Sequence, residues 1–344
     1  MRSARFSFLL MAGWLLLLAP AVAQHWVTEP VSAPGVEFHV FDSAAVGGPV
    51  SFHVYLPPQY AVEPERRFPA VYWLHGALGV LTGIEPMSQR FGLAMAHGHL
   101  PPLIVVFPNG LPLGMWADAV SGLQPVESML VDDLFAHVDA SFRTIPTPAG
   151  RMLDGFSMGG YGAARLGLRY RDLFAGFSMI GSGPLQLDFL GDNPDYLIPL
   201  ELRQLILERV FDNNLAIFVA ESPLTLASVH AADLPPEYPI RQIVGMEDPV
   251  LNTNRAFRDH LSDLGIEQQY LELPGVGHNM VQVMNAMGPE FWRFHRETLA
   301  GAERVFADGF EAVETADAVL LRSPLSTSRP EPQSGPGGVR PGRP

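Results

Sequence analysis

One serine stands between two glycines in a setting where its hydroxyl could act as a nucleophile. Gly155-Phe156-Ser157-Met158-Gly159 follows an apolar segment predicted to be a strand and precedes a segment predicted to be a helix. This is the G-x-S-x-G pattern, in which a strained turn lifts the serine hydroxyl out of a sheet and the next helix directs its amides at it. Because the chain has 33 glycines, an ordinary turn is the alternative that the surrounding sequence must exclude.

The partners that such a serine needs follow it along the chain. Acyl transfer at a serine requires a base that takes its proton and an acid that orients the base. In proteins with this elbow the order is Ser, then Asp or Glu, then His. Asp248 and His278 come in that order, each after a predicted strand, and His278 lies in a glycine-flanked loop. Glu247 is the alternative acid, although the Gly-x-x-Asp spacing favours Asp248.

Two further loops complete the predicted site. The backbone N–H groups of Ala77, after another predicted strand, and of Met158 are the predicted donors to an oxyanion, with Leu78 as a further candidate. His75 is interpreted as a structural residue of the same loop. Trp116 and Asp118, in the loop after the next predicted strand, are predicted to line the substrate pocket, with ordinary loop packing as the alternative.

Strands must hold these loops at one edge of a sheet. Alternating segments at 36–40 and 50–55 predict half-buried strands, and continuous apolar segments predict strands buried on both faces. Further strands are predicted at 68–74, 103–107, 177–180, 240–244 and 269–273, and helices at 128–138, from 159 onwards, near 200–210, at 254–264 and within 289–299. This alternation predicts an α/β fold with a mostly parallel, doubly wound sheet and helices on both faces, which binds ligands at the carboxyl ends of its strands.

The chain divides into three parts by composition. Residues 1–23 have the basic start, apolar centre and Ala-Val-Ala end of a secretory signal peptide, with a membrane anchor as the alternative. Residues 24–304 are predicted to form one domain, in which 183–236 form a modest cap or, alternatively, a crossover helix with long loops. Residues 305–344 are predicted to be largely disordered, because their end is rich in Pro, Gly and Ser. A secreted or periplasmic protein is expected.

Charge and cysteine content exclude several classes of partner and site. The formal net charge is −14, which disfavours nucleic acid and anionic membranes as partners, since both attract basic surfaces. The chain has no cysteine, so disulfides, thiol catalysis and cysteine-ligated zinc are excluded. Neither a metal nor a cofactor is predicted, and the sequence indicates no oligomeric state.

Several motifs together resemble the "putative esterase" family of α/β-hydrolases, whose members include S-formylglutathione hydrolases, feruloyl and acetylxylan esterases and mycolyltransferases. The resemblance covers about residues 50–280. It is carried by Val54-Tyr55-Leu56-Pro57-Pro58, Tyr72-Trp73-Leu74-His75-Gly76, Gly155 to Ala163, Ser222-Pro223-Leu224, Gly245-Met246-Glu247-Asp248 and Gly277-His278-Asn279-Met280. It implies an α/β-hydrolase fold, Ser157 as nucleophile, Asp248 as acid, His278 as base, and no cofactor. Asp154 departs from the family pattern, and a carboxylate buried in that strand would need a partner.

The expected function is an exported serine esterase that hydrolyses a small-molecule or polysaccharide-linked ester through an acyl-enzyme. An acyltransferase, which passes the acyl group to an alcohol instead of water, is the first alternative. A binding protein on an inactivated hydrolase scaffold is the second, and the presence of Ser157, Asp248 and His278 disfavours it.

Overall fold

Eight strands form one sheet in the part of the chain that the structure describes, residues 26–192 and 197–302. The structure is a computed structural model, and the predicted signal peptide and the tail from residue 305 lie outside the described residues. The strands are β1 (Val36–Ser43), β2 (Gly48–Tyr55), β3 (Ala70–Leu74), β4 (Ile104–Pro108), β5 (Arg151–Phe156), β6 (Gly176–Ile180), β7 (Ile240–Gly245) and β8 (Gln269–Leu273). Their order across the sheet is β1-β2-β4-β3-β5-β6-β7-β8.

Strand direction and strand burial agree with each other. β1 pairs antiparallel with β2, and β2 antiparallel with β4, whereas every later pair is parallel. β3, β4, β6 and β7 are buried along their whole length, as parallel strands covered on both faces must be. β1, at one edge, alternates between more and less exposed residues. The predicted mostly parallel α/β sheet is thus confirmed.

Helices lie in every strand connection after β2, and two more follow β8. They are α1 (Gln59–Val62), α2 (Ile84–Ala96), α3 (Val126–Ser128), α4 (Phe135–Ser141), α5 (Met158–Arg169), α6 (Leu200–Phe211), α7 (Leu215–Ala220), α8 (Pro223–His230), α9 (Leu251–Asp263), α10 (Met280–Met287) and α11 (Arg293–Thr298). The helix predicted at 128–138 is less regular than expected, because a π-helical turn, Met129–Leu134, joins α3 to α4. No helix among the described residues is long and apolar enough to span a bilayer.

The region predicted as a cap holds α6, α7 and α8, between β6 and β7. The last two helices begin at side-chain caps: Asn214 accepts from the amide of Ala216, and Ser222 accepts from the amide of Thr225. Ile206 of α6 lines the same cavity as Ser157. This part of the chain therefore provides a wall of the site, as a modest cap would.

Asp154 has the partners that its burial requires. Its Oδ2 lies 2.6 Å from His295 Nε2 and 4.0 Å from Arg241 Nη2, and all three side chains are fully buried. Burial lowers the pKa of Arg241 to about 10, which leaves it a cation at neutral pH, while Asp154 opposes the shift. Burial also lowers the pKa of His295, again opposed by Asp154. The carboxylate is thus compensated, and it links β5 to β7 and α11.

Candidate active site

Ser157 occupies the turn between β5 and α5 in a strained conformation. Its φ is +61° and its ψ −120°, a region that residues other than glycine rarely adopt. A side chain at Gly155 would collide with the backbone of Gly159, and one at Gly159 would collide with the carbonyl of Leu74. The two glycines therefore let strand, turn and helix approach closely enough to form the elbow predicted from the sequence.

Ser157, His278 and Asp248 meet at the carboxyl end of the sheet. The distance from Ser157 Oγ to His278 Nε2 is 3.0 Å, and His278 Nδ1 lies 2.9 Å and 3.1 Å from the two carboxylate oxygens of Asp248. With the ring protonated at Nδ1, His278 donates to Asp248 and accepts from the serine hydroxyl. This is the hydrogen-bond chain that a serine nucleophile, its base and an orienting acid require.

Asp248, rather than Glu247, is the acid that reaches the histidine. The side chain of Asp248 is 2% exposed, and its Oδ1 also accepts the amide of Val250 at 3.0 Å. Glu247 is exposed to solvent in the same loop. Since a buried carboxylate is held by its partners while an exposed one is solvated, the arrangement favours the acid that the spacing predicted.

The two predicted oxyanion donors lie on one cavity with the serine. Ala77 and Met158 both line the space next to Ser157. Met158 begins α5, where the first amides of a helix have no acceptor within it. The amide of Leu78, by contrast, donates to the carbonyl of Pro112 at 2.8 Å. It is therefore engaged elsewhere, and Ala77 is the better candidate.

Neither Trp116 nor Asp118 is among the described residues that line the cavity. Trp116 is fully buried, and its Nε1–H donates to the carbonyl of His75 at 3.3 Å. Asp118 is exposed and accepts the amide of Ser128 at 3.0 Å. Met115 of the same loop lines the cavity instead. The loop-packing alternative fits both residues better.

The cavity at Ser157 is lined almost entirely by apolar residues. Its lining residues are Ala77, Met115, Ser157, Met158, Gly183, Pro184, Gln186, Leu197, Ile198, Ile206 and Val250. Apart from the serine, Gln186 is the one polar side chain in this set. Most of these residues follow β3, β4, β6 or β7. Because ligands of such sheets bind at the carboxyl ends of the strands, the sequence indicates these loops as part of the site, but it does not indicate the individual residues. Within residues 26–192 and 197–302, no group of three His, Asp or Glu side chains could hold a metal ion.

Two buried histidines, His53 and His75, should make the free energy of unfolding fall as the pH becomes acidic. Burial lowers the pKa of both His53 and His75 from the usual 6.5 to about 4, with a smaller contribution from His39 at His53. Below pH 6.5 these histidines therefore bind protons in the unfolded chain, whereas in the folded chain they stay neutral down to about pH 4. Each histidine should lower the free energy of unfolding between pH 6.5 and 4, by up to about 1.4 kcal/mol per pH unit as pH falls.

The measurement is urea unfolding at several pH values across this window, for the wild type and for His53→Gln. Glutamine offers an acceptor near the ring Nε2, which accepts the amide of Val31 at 2.9 Å. The variant should therefore lose the part of the pH dependence that comes from His53 and keep this hydrogen bond. An unchanged slope in His53→Gln would contradict the shifted pKa of His53.

Known proteins share the sequence features and the fold. A family model described as "Putative esterase" matches residues 43–194. Esterase MT1326 of Mycobacterium tuberculosis (strain CDC 1551 / Oshkosh) is 29% identical over 277 residues, which is 71% of this chain and 56% of that protein. The chain thus spans little more than half the length of that relative.

Solved structures resemble this one over most of their length. A ferulic acid esterase superimposes with a TM-score of 0.60 at 19% identity, covering 75% of this chain and 97% of its own. The fluorophosphonate-binding serine hydrolase FphF of Staphylococcus aureus gives a TM-score of 0.61 at 18% identity, covering 76% and 99%. At such identities the likeness establishes a common fold. Together with the family model and the esterase of Mycobacterium tuberculosis, it shows that the chain has the α/β-hydrolase fold and is similar in sequence to esterases.

Proposed function

We propose that the protein is an exported serine esterase that acts through Ser157, His278 and Asp248 and forms an acyl-enzyme. The hydrogen-bond chain from Asp248 through His278 to Ser157, at the wall of an apolar cavity, is the observation that carries the proposal. A serine hydroxyl alone is a weak nucleophile, and an oriented imidazole removes its proton as it attacks.

The reaction would begin when Ser157 Oγ attacks the ester carbonyl and His278 Nε2 takes the hydroxyl proton. The carbonyl oxygen becomes an oxyanion, which the amides of Ala77 and Met158 would stabilise. The tetrahedral intermediate collapses, the bond to the alcohol breaks, and His278 returns the proton to the leaving alkoxide. Water, deprotonated by His278, then attacks the acyl-enzyme and releases the carboxylic acid and free Ser157.

The cavity suggests which part of the ester lies inside the protein. Its lining is apolar apart from Ser157 and Gln186, so it suits the acyl group better than a polar alcohol such as a sugar. The alcohol would then remain towards solvent, where either a small molecule or a polysaccharide could be accommodated. A ferulic acid esterase among the solved structures of this fold is compatible with a polysaccharide-linked ester.

Turnover of p-nitrophenyl esters, from acetate to long acyl chains, is the first test. It uses the chain from residue 24 onwards, with Ser157→Ala beside it. Serine-dependent hydrolysis would support the proposal. The dependence of its rate on acyl-chain length would show how long an acyl group the site accepts. No turnover by folded protein would contradict it. Adding acceptor alcohols to the same assay separates hydrolysis from acyl transfer, because a transferase would form new esters.

Export is proposed from the composition of residues 1–23 and is tested separately. Fractionation of cells that express the full chain, followed by N-terminal sequencing of the product, should find the mature protein outside the cytoplasm, beginning near Gln24. Uncleaved protein in the cytoplasmic fraction would contradict this part of the proposal.

Replacing the proposed base should nearly abolish turnover. We expect His278→Ala to lower kcat by about 10⁴-fold or more, since members of a catalytic triad act as a unit. The effect of the substitution on KM should be small, because the ring transfers a proton and does not bind the acyl group. The matched control is His97→Ala, an exposed histidine at the end of α2, which should leave kcat unchanged. Full activity in His278→Ala would reject this role.

A further inference from the structure

The peptide group between Gly76 and Ala77 is held from its carbonyl side. The carbonyl oxygen of Gly76 lies 2.8 Å from His75 Nδ1 and accepts the amide of Gly79 at 3.1 Å. In a trans peptide the C=O and N–H bonds point in opposite directions. Fixing the Gly76 oxygen therefore fixes the direction of the Ala77 N–H, which must point away from both donors.

The hydrogen bonds of His75 determine which ring nitrogen carries the proton. The amide of Gly110 donates to His75 Nε2 at 3.1 Å, so Nε2 has no proton. A neutral ring must then be protonated at Nδ1, which donates to the Gly76 oxygen. The residue is 6% exposed, and burial lowers the pKa of its side chain to about 4, so the ring is neutral at physiological pH.

The Gly76–Ala77 segment lies beside the proposed nucleophile, Ser157. A methyl group built on Gly76 would stand 3.3 Å from Ser157 Cβ, which places the segment directly against the elbow. Trp116 adds a second restraint, because its Nε1–H donates to the carbonyl of His75 and its ring lies 4.9 Å from the imidazole. Arg165, in turn, donates to the carbonyl of Trp116 at 3.0 Å.

From these contacts we propose that His75 is a positioning residue of the oxyanion site, which aims the Ala77 N–H through the Gly76 carbonyl. The proposal rests on the proposed esterase function. It goes beyond a structural role for the loop, because it assigns the effect to one donor atom, Nδ1, and to one acceptor, the Gly76 oxygen. Hydrogen bonds to a carbonyl also polarise its peptide, which makes the N–H a stronger donor.

Two amide side chains separate the functions of the two ring nitrogens. In His75→Asn, the side-chain nitrogen can take the place of Nδ1 and donate to the Gly76 oxygen, but the buried amide of Gly110 loses its acceptor. In His75→Gln, the longer side chain can reach the place of Nε2 and accept from Gly110, but the donor to Gly76 is lost. The first variant should therefore have the lower Tm and the second the lower kcat.

We expect His75→Asn to keep kcat within about fivefold of the wild type, and His75→Gln to lose about 30- to 100-fold with KM within about threefold. The loss is bounded by the 10²- to 10³-fold cost of removing an oxyanion donor outright. A merely structural histidine would give the reverse order, with kcat following Tm. That result, or equal kcat values in the two variants, would overturn the assignment.

A second readout does not depend on activity. In ¹⁵N spectra of histidine-labelled wild type at pH 7, with His75→Gln used to assign the signal, the His75 ring should be protonated at Nδ1 and unprotonated at Nε2. A proton on Nε2 would overturn the assignment even in an active esterase. A wild type that shows this tautomer but hydrolyses no ester would instead reject the esterase function, and with it an oxyanion role for the residue.

Discussion

Replacing Ser157 by alanine is expected to lower kcat for ester hydrolysis by about 10⁵- to 10⁶-fold while leaving the fold intact. The proposed covalent step runs through this hydroxyl, which lies 3.0 Å from His278 Nε2. The residue also has φ near +61°, a strain that alanine would share. We therefore expect the free energy of unfolding to change by no more than about 1 kcal/mol.

The measurement combines steady-state hydrolysis of the best p-nitrophenyl ester with urea unfolding of the same preparations. Ser262→Ala, at an exposed serine of α9, is the control and should match the wild type in both assays. Residual turnover within tenfold of the wild type would reject Ser157 as the nucleophile. A large loss of stability would instead show that the hydroxyl has a structural role in the elbow.

The parts of the fold that could be predicted are those in which local pattern and tertiary burial agree. Strands buried on both faces need continuous apolar sequence, and β7 and β8 lie within a residue of their predicted bounds. The sequence predicts that Ser157, Asp248 and His278 lie at one edge of the sheet, because each follows a strand of a parallel sheet. The structure brings these three side chains together.

The loop after β4 shows why the rest of the site could not be predicted. Trp116 is aromatic and follows a strand, which is typical of a pocket wall, yet its indole turns inward to the carbonyl of His75. Met115 and Trp116 both have positive φ values, which no local sequence preference indicates for such large residues. Tertiary contacts determine this turn, including the hydrogen bond from Arg165 to the Trp116 carbonyl.

The helices and the buried charges also have features that local sequence does not predict. The π-helical turn Met129–Leu134 shifts the side chains that follow it, and the apolar pattern of 128–138 predicted only a regular helix. The sequence predicts that Asp154 needs a partner if it is buried. Its partners, His295 and Arg241, lie far along the chain, so only the three-dimensional structure could identify them.

The same buried cluster gives the largest expected effect on stability. We expect Asp154→Leu to lower the free energy of unfolding by about 3–5 kcal/mol, because the fully buried Arg241 guanidinium loses its compensating charge and His295 loses its acceptor. Arg241 would keep hydrogen bonds to the Ser178 hydroxyl and the Phe291 carbonyl, but neither partner carries a charge.

Urea unfolding of a small variant set distinguishes the loss of compensation from a simple packing defect. The triple variant Asp154→Leu/Arg241→Met/His295→Phe removes every charged or titrating member, so it should recover most of the lost stability, as apolar replacements of buried ion pairs often do. Glu290→Gln, which breaks an exposed pair with Arg293, is the control and should cost less than about 1 kcal/mol. If Asp154→Leu were as mild as this control, the carboxylate would not be the partner that keeps Arg241 charged in the core. If the triple variant were no more stable than Asp154→Leu, the loss would come from packing, and the link between β5, β7 and α11 would not be electrostatic.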